Sequence, residues 1–144
     1  MKRDKIIYWI ATGLLSALFV AGGLMYLLNY PRAAGFFTNL GFPNWIIYPL
    51  AILKFAGVIA ILSRKSLFLK ELAYAGFLYD ALLALVAHVV VQDGEAMPAV
   101  LSLVFIMVSW RYDRKVFGAY TQKKKQTTPL NKISKASKLS KELV

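Results

Sequence analysis

The sequence predicts an all-α integral membrane protein: a four-helix bundle with both termini in the cytoplasm and a disordered basic C-terminal tail. Three observations predict it. Of the 144 residues 58% are hydrophobic and the mean hydropathy is +0.54, yet the formal net charge is +11, a pairing that does not describe a soluble domain. The apolar residues fall into four runs, each at or near the length needed to cross a bilayer. The basic residues gather at alternate connections between those runs and in the tail.

Met1 to Lys5 is a short basic leader, and Ile6 to Leu28 is an apolar run long enough for one crossing. A secretory signal would have a core of only about 7 to 15 residues, so a retained helix is expected, with Ala33-Ala34 as the one small-residue feature downstream. Gly13, Ala17 and Ala21, spaced by four, are expected to form a small-residue edge that packs on a neighbouring helix. Asn29 to Asn44 is the longest connection, punctuated by Pro31, Gly35, Gly41 and Pro43. Between those breaks Ala33, Ala34, Phe36, Phe37 and Leu40 suit a short interfacial helix, either a lid or a segment seated in lipid.

The second span, 45–62, opens on the interfacial aromatics Trp45 and Tyr48. Lys54 lies nine residues past Trp45, about 13 Å deep at the helical rise, near the middle of the hydrocarbon. Ser63 to Ser66 is a tight basic turn into the third span, 69–91, where Asp80 sits ten residues beyond Lys70 and so at a similar depth. An isolated charge at the centre of a membrane helix costs about 2.5 to 3.5 kcal/mol on insertion scales, so each of the two is expected to seek the other. At 100° per residue Ala73, Gly76, Asp80, Ala84 and Ala87 share one arc of the third span with His88 at its edge, while Leu78, Leu82, Leu85, Val86 and Val89 lie opposite. The small-residue arc is expected to face the bundle interior. Glu71, near the helix start and off that arc, is expected to be solvated or to snorkel.

Gln92 to Glu95 is a short acidic turn. The fourth span, 96–112, carries Pro98 in its first turn, where proline is tolerated, and ends on Trp110 and Tyr112. From Asp113 onward the chain is polar and lysine-rich, with a lysine run at 123–125 and lysines at every third position from Lys132 to Lys141. Such a stretch lacks the apolar content to fold alone. The expected division is therefore a transmembrane domain, 1–117, and a lysine-rich cytoplasmic tail, 118–144. Lys2, Arg3, Lys5, Arg64, Lys65 and the tail fall on one side, against Arg32, Asp93 and Glu95 on the other, so the positive-inside rule puts both termini in the cytoplasm, in agreement with four crossings.

Candidate chemistry is confined to a few side chains. Lys54 and Asp80 form either a structural pin or a ligand or proton site, with His88 as the third member of an intramembrane polar cluster. Glu71, Tyr74 and Asp93 are secondary candidates. His88 with Asp93 and Glu95 matches no metal-ligand spacing, so no metal is expected. With no cysteine there is no disulfide or thiolate site, and a single histidine cannot supply both axial ligands of a haem. Phosphate loops, nucleophile elbows, dinucleotide fingerprints and HExxH are absent from the sequence. The lysine tail has almost no aromatics past Tyr120 to stack on bases, so the bilayer is its expected partner and nucleic acid is not.

These residues resemble the DoxX-like family of small bacterial four-helix membrane proteins. The resemblance rests on Leu40-Gly41-Phe42-Pro43 before the second span, on Lys54 with Gly57 inside it, and on Lys70-Glu71 with Ala73-Tyr74-Ala75-Gly76 opening the third. His88 and then Asp93-Gly94 close that span, and the whole covers roughly residues 5 to 117. Leu72 stands where the family pattern usually has an aromatic. The resemblance implies a multi-pass protein of the bacterial inner membrane, and most such proteins have no assigned activity. The family takes its name from a subunit associated with a quinone-reducing oxidoreductase of sulfur metabolism. Two functional expectations follow: an accessory or structural membrane subunit without activity of its own, or a quinone-linked redox component using Lys54, Asp80 and His88. A partner membrane or redox subunit and self-association are both compatible with so small a chain; no other cofactor is expected.

Overall fold

A computed structural model describes the backbone of residues 2–126 and 129–143, and side chains over 2–118 and 132–143. The chain folds into α1 (Lys2–Leu28), α2 (Tyr30–Asn39), a single 3-10 turn (Asn44–Ile46), α3 (Ile47–Ser63), α4 (Leu67–Val91), α5 (Met97–Gln126) and α6 (Pro129–Glu142), with no strand among the described residues. Among the described residues three stretches are long and apolar enough to cross a membrane: α1, the 3-10 turn continued by α3, and α4. α1 and α4 each pack on both α3 and α5.

Local chemistry sets the ends of these helices. α2 has Pro31 in its first turn, where its missing N–H costs nothing. It ends on Gly41, whose φ of +79° is the left-handed conformation that glycine adopts without strain. The N–H of Gly41 reaches back to the carbonyl of Thr38 (3.1 Å) and that of Phe42 to Phe37 (2.7 Å), while the Phe42 and Phe37 rings meet at 6.0 Å. That is a Schellman cap with its apolar contact, and it gives the Leu40-Gly41-Phe42-Pro43 element a physical role. At the opposite end of the molecule the Ser66 hydroxyl accepts the Leu69 N–H (3.4 Å) and starts α4.

The core is aromatic and aliphatic. Leu15 and Phe19 of α1, Val58 and Ile61 of α3, Tyr74, Phe77 and Ala81 of α4, and Ile106 of α5 form one buried cluster; Ala33, Phe37 and Ile47 form a smaller one under α2. Large apolar side chains also cover the outside: Ile52, Ile59, Phe68, Leu83 and Val90 are all well exposed. A surface of that kind belongs against lipid, which makes this a membrane protein.

Several expectations are corrected. Gly13, Ala17 and Ala21 do not pack on a neighbour: they are exposed, and the buried face of α1 is Tyr8, Ala11, Thr12, Leu15, Phe19 and Gly23. The buried face of α4 is Lys70, Tyr74, Phe77, Ala81 and Ala87, turned roughly a quarter of a revolution from the small-residue arc at 100° per residue, so Gly76 is exposed and Ala73 and Ala84 are half-buried. Small residues here open space, while the two rings of Tyr74 and Phe77 fill it.

The C-terminal tail, expected to be disordered, is helical over residues 118–126 and 129–142. The fourth helix does not stop at Tyr112, because no proline stands between there and Gln126: lysine, arginine and glutamine propagate a helix well and outweigh Gly118, and α1 runs alongside, with Lys115 bound to Asp4 at 2.9 Å and the Tyr8 and Phe117 rings at 5.1 Å. The expected boundary between 117 and 118 falls inside this continuous helix. Poverty in apolar residues removes a core from α6 but not its helicity; residues 132–143 are exposed throughout. The side chains of Lys123 to Lys125 lie outside the described residues.

Candidate functional site

Lys54 is delivered from the middle of α3 and Asp80 from the middle of α4, two helices long and apolar enough to cross a membrane, and Lys54 Nζ donates to Asp80 Oδ2. The lysine is desolvated and compensated from two further directions: its Nζ lies 4.7 Å from the Phe19 ring centroid and 5.5 Å from that of Tyr26. Asp80 is the more accessible partner, with 20% of its side chain exposed against 9% for Lys54. That difference follows from the rotation of α4, which puts Asp80 at the edge of the bundle and not on its axis.

Two cavities meet at Asp80. The outer one, about 370 Å³, is bounded by Tyr26, Phe36, Phe37, Phe42, Tyr79 and Asp80, with His88 and Glu95 also on its wall. The inner one, about 430 Å³, runs between α3 and α4 past Leu53, Lys54, Gly57, Ala60, Leu72 and Phe77. Asp80, Gly76 and Leu50 line both. A Cβ placed on Gly76 would meet nothing within 4 Å, so the missing side chain keeps the two cavities open toward each other.

His88 joins the site through the outer cavity and not by direct contact. Its Nδ1 bonds Asp93 Oδ2 at 2.7 Å, and Asp93 Oδ1 accepts the Glu95 N–H at 2.9 Å, which ties the turn after α4 into a compact cap. The Glu95 backbone N–H, and then the His88 ring, hold the Asp93 carboxyl below the usual carboxylate range. No group of three or more His, Cys, Asp or Glu side chains is placed to hold a metal ion among the described residues. Of the secondary candidates, Glu71, expected to be solvated or to snorkel, is partly exposed and accepts from Trp110 Nε1 (3.0 Å) and Arg114 (3.3 Å). Tyr74 is buried, with its hydroxyl 2.8 Å from Ser109 Oγ.

Tyr74 leads to a second polar layer that pattern reading did not find. Lys70 donates to Asp113 Oδ2, Arg64 approaches the other carboxylate oxygen at 3.7 Å, and Ser109 also meets Thr12 at 2.7 Å. Asp113, expected to begin the solvated tail, is 2% exposed. The signal was available: Lys70 and Asp113 stand at the same end of consecutive antiparallel runs, as Lys54 and Asp80 share a depth. Between the two layers lie the Phe19 and Phe77 rings, stacked at 3.8 Å, so Lys54–Asp80 and Lys70–Asp113 are separated by an apolar plug.

Neither a curated protein nor a solved structure matches the chain. A model described as the DoxX-like family matches residues 10–110, which hold α2, α3, α4, the first part of α5 and the buried ion-pair lysines Lys54 and Lys70. With well over half of its length matched, the chain belongs to the DoxX-like family.

Proposed function

We propose that this protein is an accessory subunit of the bacterial inner membrane, crossing it four times with both termini in the cytoplasm, and that it holds a small lipid-soluble molecule against Asp80. The observation that carries this reading is the meeting of two apolar cavities at one carboxylate, Asp80, half-way along a helix long and apolar enough to cross a membrane. A pin needs only the pair; it does not need empty space on both sides of it. Cavities of a few hundred Å³ with apolar walls and one or two fixed polar groups are the usual form of a small-molecule site. The four crossings and their orientation rest on the placement of basic residues and on the ring in which α1, α3, α4 and α5 pack.

A second reading, a quinone-linked redox component, is favoured by one observation: a molecule filling the outer cavity would touch both Asp80 and His88, two groups able to exchange protons. Purification in mild detergent, with an absorption spectrum and analysis of the extracted lipids, tests both. A stoichiometric small molecule lost when Asp80 or Lys54 is neutralised supports the site, and a quinone among the extracts selects the second reading. Bulk lipid alone, in wild type and variants alike, returns Lys54 and Asp80 to the role of a pin.

A further inference from the structure

The outer cavity has a chemical bias that goes beyond an apolar pocket with a polar end. Five of its wall residues, Tyr26, Phe36, Phe37, Phe42 and Tyr79, are aromatic, and its ionisable wall groups are two carboxylates and one histidine. Aromatic faces carry negative electrostatic potential and attract cations within about 6 Å of the ring centroid. Two of these rings already attract resident cations: Lys54 stands over Tyr26 at 5.5 Å, and the Arg32 guanidinium over Phe36 at 5.6 Å.

The carboxylates are not used up. Asp80 gives Oδ2 to Lys54, and its Oδ1 has no hydrogen bond among the described residues. Glu95 engages the turn through its backbone N–H, and its carboxylate has no ion pair among the described residues. Asp93, beside it, is bound to His88. An aromatic-walled cavity lined by two carboxylates, one of them paired with Lys54, favours positive charge over negative.

We infer that the outer cavity is a receptor for a small lipophilic organic cation, an alkyl- or arylammonium whose charge sits among the aromatic rings between Asp80 and Glu95. The inference rests on the reading of the Asp80 cavities as a ligand site and names the class of ligand they take. It also competes with the quinone reading, which requires a neutral occupant.

The test uses the full chain in detergent and two probes of one shape, benzyltrimethylammonium and its neutral isostere neopentylbenzene, with free concentrations corrected for partition into empty micelles. The cation is expected to bind at least about tenfold more tightly than the isostere. Glu95→Gln, on an exposed turn, is expected to remove most of that preference; Asp80→Asn, which also leaves Lys54 without its partner beside the cavity, is expected to weaken cation binding further. Equal binding of the two probes overturns the cation inference and leaves the cavity reading standing. Binding of neither probe overturns both. A preference for the cation that survives both substitutions also overturns the inference, since the carboxylates would not be its source.

Discussion

The Phe77 ring occupies the place where a side chain at position 57 would begin: a Cβ built on Gly57 would fall 2.5 Å from Phe77 Cε1. This close approach of α3 to α4 lets Phe77 stack on Phe19 and seals the space between the two buried ion pairs. Gly57→Ala is therefore expected to destabilise the protein by about 1 to 3 kcal/mol, the usual range for overpacking a core. Gly76→Ala, one turn from Asp80, is expected to be neutral, because its Cβ would meet nothing. Thermal unfolding in detergent distinguishes the two, and equal effects would contradict the assignment of Gly57 to packing and Gly76 to open space.

Neutralising either member of the Lys54–Asp80 pair leaves the other charged and unpaired inside the membrane. Lys54→Met and Asp80→Asn are each expected to cost about 3 kcal/mol, the low end for breaking a buried pair because Asp80 is partly exposed. The double variant is expected to cost clearly less than the sum of the two. A double-mutant cycle on unfolding checks this, and strict additivity would mean that the two residues are not coupled.

Asp113→Asn is expected to be more damaging than Asp80→Asn, since Asp113 is 2% exposed and faces both Lys70 and Arg64. Comparison of folded yield and unfolding temperature for the two variants checks the order. This second pair also shows what the sequence could and could not tell. The helices follow the apolar runs, and the shared depth of Lys54 and Asp80 could be counted from the interface. The rotation of α4 could not, because a small-residue arc and an aromatic arc are both plausible interior faces until the neighbouring helices are placed. For the same reason Gly13, Ala17 and Ala21 pointed to packing that α1 does with Leu15 and Phe19 instead. Asp113 was misplaced because hydropathy falls at Arg111, whereas the helix, held against α1, carries its carboxylate back under Lys70.

Asp93 sets an acid limit to the outer turn. Its carboxyl is held below the usual range by the Glu95 N–H and then by His88, so the stabilisation is complete above the ordinary carboxylate pKa and is lost as the pH falls through the lowered folded value. The turn after α4 is expected to loosen only below about pH 4. Hydrogen exchange at the Glu95 amide against pH checks this, and Asp93→Asn is expected to abolish the dependence.

The described side chains of α6, residues 132–143, are all exposed, so deletion of residues 129–144 is expected to leave the unfolding temperature of the rest unchanged within about 1 °C. Its lysines at 132, 135, 138 and 141 share the helix with Ile133, Ala136 and Leu139. Flotation with vesicles should show the deletion weakening attachment of detergent-freed protein to anionic but not to neutral lipid.

The claim that Asp80 faces a ligand, and not merely a partner lysine, is tested most directly by filling the space beside it. Gly76→Leu would add a side chain at a position that lines both cavities and where a Cβ meets nothing within 4 Å. Mass spectrometry of the intact protein released from mild detergent should show a bound small molecule on the wild type and none on Gly76→Leu, with the two equally stable. The same bare mass, or the same bulk lipid, on both proteins would contradict the account.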